Sequence, residues 1–219
     1  MYQPDEFRGT SAALAYEHIL RYPFGIIVSA TGLGATHLPF LLDDPQSPSG
    51  LVSHFALRND QWRTINDGEE VLVIFPGPDT YISPTTYVAE EDVPTWNYTA
   101  VHVRGAYRRI NDAELRELLV RTVDTFEAPR AERWHTSRMN HEDLAMLGTA
   151  VVGFSIETRT IEHGVKLSQD KTQPDIDAVT TTLSQSSSAD AQAVAREMDG
   201  YAVRGRTKPP STDPANWMR

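Results

Sequence analysis

Short β-like runs, some of them alternating apolar and polar residues with a period of two, recur along the first three-quarters of the chain. They read as strands. Such runs cover Phe24–Ala30, His37–Leu42, Gly50–Ala56, Glu70–Phe75, Thr80–Ile82, Ala100–Ile110 and Ala150–Ile161. Asp-Pro, Ser-Pro-Ser-Gly, Asn-Asp-Gly and Pro-Gly-Pro-Asp lie between the runs and read as turns. A helical period appears over residues 11–22. There Ala12, Ala15, Tyr16, Ile19 and Leu20 share one face, Thr10 or Ser11 caps the start, and Tyr22-Pro23 closes the helix. A second helix is predicted from an Asp112 N-cap to about Glu127, with Leu115, Leu118, Leu119 and Phe126 as its stripe and Arg116 and Arg121 outside.

The segment 128–148 is charged, with a short helix expected near 141–147. Residues 174–198 read as two short helices broken at Ser186–Ser188. The tail 199–219 carries glycine, proline and basic residues, and is either disordered or laid across a partner. Several short strands with turn signals between them predict a mainly β (α+β) fold, an antiparallel barrel with peripheral helices. Helices do not alternate regularly with strands, so a parallel sheet is not expected. The expected organisation is a barrel domain over 1–170, C-terminal helices over 171–198 and the tail.

Composition narrows the chemistry. The 219 residues contain no cysteine, which excludes disulfides, thiolate nucleophiles, iron–sulfur clusters and cysteine-ligated heme. With 20 basic against 30 acidic residues the formal charge is −10, which disfavours non-specific binding to nucleic acid. No signal peptide and no apolar run long enough for a membrane helix is evident, so a soluble, cytoplasmic protein is expected. No GxGxxG follows a strand, no HExxH is present, and no recognition helix emerges in the mildly basic C-terminal region.

Three stretches instead concentrate aromatic, polar and basic side chains: SHFALRNDQWR (Ser53–Arg63), GPDTYISPTTY (Gly77–Tyr87) and PTWNYTAVHVRG (Pro94–Gly105). Such clusters suit a flat, anionic, partly apolar ligand. His54 ends an apolar-alternating strand. From there it can ligate heme iron through a neutral ring nitrogen, hydrogen-bond a flavin, or simply bond neighbouring backbone. His37 and His102 are the reserves for an iron ligand, while His135, His141 and His163 read as surface residues. Arg58, Arg63 and Arg104 are candidates for a phosphate or propionate, because guanidinium matches such anions in two-pronged fashion. Tyr81 and Tyr98 read as core, while Trp96 and Tyr87 are open to either a packing or a stacking role.

MYQPDEF at the start, ATHLPF (Ala35–Phe40), SHFALRNDQW, GPDTYISPTTY, VPTWNYTAVHVRG and KLSQ (Lys166–Gln169) occur in this order. Together they resemble the PaiB-type family of the flavin-reductase-like, FMN-binding split barrel, over about residues 1–198. The resemblance implies an antiparallel split β-barrel with flanking helices and a C-terminal helical segment. It also implies a homodimer with the cofactor at its interface.

The family carries the label of FMN-binding negative transcriptional regulator. It also includes heme-dependent piperazate synthases, which close an N5-hydroxylated ornithine by an N–N bond. The leading expectation is an enzyme of this second kind. In it heme b is held with His54 as axial iron ligand, and Asn59, Trp62, Arg63, Trp96 and Lys166 also surround the cofactor. Thr85, Thr86 and Tyr87 meet an amino-acid-like substrate, and Asp60 or Glu90 holds its ammonium or takes a proton. The alternative is an FMN-binding PaiB-like oxidoreductase or regulator, with Arg63 and Lys166 on the phosphate. The chain departs from the family pattern at Arg58-Asn59-Asp60, where Gly-Asn-Pro or Ala-Asn-Pro is usual, and at Pro84-Thr85-Thr86-Tyr87, where Ser-Trp-Tyr is.

Overall fold

The computed structural model of the chain describes residues 1–9, 11–89, 92–138, 146 and 148–203. Thr10, Glu90, His141, the helix expected near 141–147 and most of the tail lie outside these. Seven strands form one sheet: β1 (Phe24–Ser29), β2 (Gly34–Pro39), β3 (Leu41–Leu42), β4 (Gly50–Ala56), β5 (Glu70–Ile82), β6 (Thr95–Arg109) and β7 (Val151–Lys166). Their order is β2-β1-β5-β6-β7-β4-β3. The described helices are α1 (Ala12–Arg21), α2 (Gln61–Thr64), α3 (Asp112–Glu127), α4 (Gln173–Ser184) and α5 (Ala189–Val203). This is the mainly β, α+β split barrel expected from the sequence.

The chain divides into two compact units: Met1–Ala15, Pro76–Val101 and Glu162–Arg219 in the first, Tyr16–Phe75 and His102–Ile161 in the second. In the second unit, strict alternation turns every other side chain inward. In β4, Leu51, Ser53 and Phe55 are buried and His54 is not. β4 pairs antiparallel with β7, setting Ser53 opposite Phe154 and His54 opposite Gly153. Phe154 is fully buried, and its ring lies 4.8 Å from Phe55, 5.3 Å from Tyr107 and 6.1 Å from Phe40. Burial also pushes the Tyr107 hydroxyl up to about 12.

In the first unit, Ile82, Tyr87, Val165 and Leu167 share one cluster with Ile176, Val179 and Leu183 of α4 and Ala191, Val194, Ala195 and Met198 of α5. The polar C-terminal segment thus buries an apolar stripe of each helix.

Four local readings need correction. Pro76-Gly77-Pro78 does not break β5, which runs 13 residues from Glu70 to Ile82. The ladder with β1 ends at Ile26↔Ile74, so the prolines deprive no β1 partner of a donor. The cap of α3 is Asn111 rather than Asp112. Its carboxamide accepts from the Ala113 and Glu114 amides at 2.9 and 3.0 Å, and Glu114 accepts from the Asn111 amide at 2.9 Å, closing a capping box. The buried face of α1 carries Ala15, His18 and Ile19, with Leu20 57% exposed. His18 goes inward because its Nε2 meets the Phe75 carbonyl at 3.2 Å and its ring packs on Tyr22 at 4.9 Å. Tyr81 is 50% exposed, since it lies on the β5 face opposite buried Ile82's, and Tyr98 is half-buried. Ser11, by contrast, serves as expected, accepting from the Leu14 amide at 3.3 Å.

Two substitutions measure this packing. Phe154→Ala is expected to cost about 3–5 kcal/mol in denaturant unfolding, because three rings lose their partner. Asn111→Ala is expected to cost about 1 kcal/mol, the usual value of an N-cap.

Candidate functional site

The sequence-predicted residues fall into two groups, one in each unit. His54, Asn59, Trp62 and Arg63 belong to the second unit, and Thr85, Thr86, Tyr87, Trp96 and Lys166 to the first.

His54 sits on the outward face of β4, half-buried, opposite the bare backbone of Gly153. Burial holds its imidazole below the usual histidine value near 6.5, so the ring is neutral at pH 7. β4 then turns through residues 57–60 into α2. Asn59 is committed to that turn: its Nδ2 donates to Thr36 Oγ1 at 2.9 Å and its Oδ1 accepts from the Gln61 amide at 2.9 Å. Thr36 in turn donates to Gln61 Oε1 at 2.6 Å, and Gln61 Nε2 donates to Ser29 Oγ at 3.1 Å. This network ties α2 to β1 and β2 and fixes where Trp62 and Arg63 stand.

Trp62 donates from Nε1 to the Leu57 carbonyl at 3.1 Å. Two guanidiniums lie over its indole, that of Arg63 at 4.4 Å and that of Arg109 at 5.6 Å. Arg63 also faces Asp60 at 3.4 Å, with the side chains 55% and 90% exposed. Such a solvent-exposed pair is weak and exchangeable. Arg109 escaped the sequence reading because it comes from the far end of β6; its adjacency to Trp62 is purely tertiary.

In the first unit, Pro84–Thr86 form one turn of 3-10 helix capped by Ser83. Thr85 shares its hydroxyl hydrogen bond with Ser83 Oγ at 2.8 Å, and Thr86 donates to the Ser83 carbonyl. Tyr87 packs in the hydrophobic cluster and its phenol is raised by burial, partly offset by the nearby Lys171 ammonium. The next two residues are pinned by α4: Asp175 Oδ1 accepts from the Val88 and Ala89 amides at 2.8 and 3.1 Å, and Oδ2 accepts from Thr172 Oγ1 at 2.6 Å. Burial works against the Asp175 carboxylate, but these donors hold its pKa below the usual aspartate range. Trp96 is 54% exposed and meets Tyr81 edge-on at 6.1 Å.

The KLSQ turn carries an ammonium, a hydroxyl and an amide, of which the amide is used within the turn. Gln169 spends its amide on the Leu167 amide and the Val165 carbonyl, while Ser168 takes a left-handed φ of 60°. Lys166 donates to Thr95 Oγ1 at 2.5 Å and lies over the Phe7 ring at 5.5 Å. Lys166, Ser168 and Lys171 line a cavity of about 520 Å3 with Thr95, Asn97 and the segment Tyr2–Phe7. Asn97 was not anticipated; its signal was a polar residue at an inward-facing strand position.

Of the reserve histidines, His37 is exposed and stacks on Phe24 at 6.1 Å, and His102 takes the outward face of β6. His163, expected at the surface, is half-buried against Gly9. Among the described residues no cluster of histidine and acidic groups could hold a metal ion, and no helix is long and apolar enough to cross a membrane.

The family model described as "Putative FMN-binding domain" matches residues 1–160. The Protease synthase and sporulation protein PAI 2 of Bacillus subtilis is 34% identical over 202 residues, covering 91% of this chain and 97% of that protein. Among solved structures, the FAD and heme binding protein from Mycobacterium smegmatis superposes with a TM-score of 0.57 at 18% identity, covering 79% of this chain and 80% of its own. The flavocytochrome Anf3 from Azotobacter vinelandii gives 0.52 at 13% identity, covering 95% and 85%. At these identities the two structures speak for the fold alone. The family model and the relative together place the sequence: the chain belongs to the PaiB-type, FMN-binding-domain family of split barrels.

Proposed function

We propose that this chain is an FMN-binding protein of PaiB type, and that the Trp62 cluster receives the phosphate-bearing part of the flavin nucleotide. The observation that carries this reading is the pair of guanidiniums, Arg63 and Arg109, on one indole in a chain of net charge −10. Two fork-shaped cations beside an aromatic face suit a phosphate joined to an organic body. Asp60 is the residue an incoming phosphate displaces from Arg63. When bound, FMN supplies hydride and electron transfer. The protein's part is to bind and orient it, whether the outcome is an oxidoreductase or a flavin-responsive regulator.

The assembly that fits is a homodimer. Ile26, Val28, Leu72 and Ile74 are paired across β1 and β5 on the face opposite the core and stay half-buried, beside the 59% exposed Phe24. An aliphatic strip of this kind matches a second copy of itself.

A second reading is supported by His54. A neutral, half-buried imidazole on the outward side of its strand suits an axial ligand to heme iron, which supplies a Lewis-acidic metal. In its finest form this is an enzyme closing an N5-hydroxylated ornithine by an N–N bond. Of the three residues expected to meet substrate, Thr86 bonds back to its own turn and Tyr87 is in the core, which leaves Thr85 with an exposed hydroxyl beside Ser83.

Fluorescence titration separates the readings. FMN is expected to bind with quenching of Trp62. Arg63→Ala and Arg109→Ala should each weaken it about tenfold, leaving riboflavin binding unchanged, and Asp60→Asn should strengthen it. A Soret band on adding hemin that His54→Ala abolishes, with no uptake of FMN, would instead favour the iron reading. His54 also makes a pH prediction. Its folded pKa lies below the unfolded value near 6.5, so the unfolded chain binds the extra proton in that window. Stability is therefore expected to fall as pH drops below about 6.5. His54→Gln should flatten this part of the stability–pH curve.

A further inference from the structure

The cavity of about 520 Å3 in the first unit has a size typical of small-molecule sites. None of its residues belongs to the Trp62 cluster, so what it binds is a question separate from the flavin reading. One wall is the N-terminal segment. Its Met1 ammonium meets both Glu162 oxygens at 3.0 Å, and the Gly9 amide donates to the His163 carbonyl at 2.7 Å. The opposite walls are the start of β6 and the turn Lys166–Lys171.

Three features of the lining call for a ligand of particular chemistry. First, the Lys166 ammonium has no carboxylate partner among the described residues; its polar contact there is the Thr95 hydroxyl. An ammonium with three donors and one neutral acceptor is suited to an anionic group. Second, Asn97 is fully buried, and while its Nδ2 donates to Ser168 Oγ at 2.8 Å, its Oδ1 accepts nothing. A buried carbonyl left without a donor costs free energy, and an N–H supplied by a ligand removes that cost. Third, Lys171 is held at 2.8 Å by Asp92 and at 3.4 Å by Asp170, so one cation stands between two carboxylates and this corner is net negative. Phe7 and Val93 supply apolar surface.

The geometry points to a binding site for a small aliphatic zwitterion, its carboxylate at Lys166 and its ammonium at Asn97 Oδ1 and the Asp92–Asp170 corner. A simple anion is disfavoured, because Asp5, Glu6, Asp92 and Asp170 outnumber the two lysines in the lining. A simple amine leaves Lys166 without its anion and places a third ammonium beside the two lysines.

Calorimetric titration of the full chain tests this with four probes: L-norleucine, n-pentylamine, hexanoate and inorganic phosphate. L-Norleucine is expected to bind saturably at one site per chain, at least about tenfold more tightly than any of the other three. Lys166→Gln should weaken norleucine about tenfold while leaving pentylamine unchanged. Asn97→Asp keeps the acceptor and should retain norleucine binding. No saturable binding of norleucine at tens of millimolar overturns the proposal. Hexanoate or phosphate binding as tightly as norleucine also overturns it, as does unchanged norleucine affinity in folded Lys166→Gln.

Discussion

The inward packing of Phe154 constrains most of what surrounds it in its unit. Its ring is closed in by Phe40, Phe55 and Tyr107, and its strand partner on the core face is Ser53. With Ser53 and Phe55 turned inward, the period of two leaves His54 no choice of face. A register slip of one residue would bury the imidazole and expose Leu51, Ser53 and Phe55. The position of the candidate iron ligand is thus a by-product of aromatic packing, and Gly153 opposite it makes room for the side chains of Ile110 and Leu115.

Much of the fold was legible because its signals are local. The run at Gly50–Ala56, the helix up to Glu127 and the break around Ser186–Ser188 follow from periodicity and turn residues alone. What was misread depends on neighbours. Pro76 and Pro78 look like breakers until the β1 ladder is seen to stop at Ile74. His18 looks polar until the Phe75 carbonyl is there to receive it, and its burial rotates the face of α1 away from Leu20. Asp112 is a plausible cap, but Asn111 reaches two amides and lets Glu114 answer.

The site was legible in a different measure. The motif around Trp62 and Arg63 marked the stretch where two guanidiniums come to lie over one indole, and the spacing of Asn59 ahead of them is explained by its role in seating α2. The second guanidinium, Arg109, was invisible because only the sheet brings the end of β6 to that indole. Likewise Lys166 was singled out from its motif, but Asn97 acquires meaning only through the orphaned oxygen it carries into the same cavity. Motifs report which residues gather; they do not report which of their atoms the fold has already used. Thr86 and Gln169 are examples, since both are spent on their own turns.

One carboxylate ties together segments far apart in the chain. Asp175 sits in the first turn of α4 and at the same time holds the amides of Val88 and Ala89. Unwinding that turn therefore releases the 84–89 loop, and tearing the loop away strips α4 of part of its N-terminal order. The two form a single unit of local opening. The deuterium uptake of Val88 and Ala89 is thus expected to keep time with that of a helix whose anchoring carboxylate lies 87 and 86 residues downstream of them.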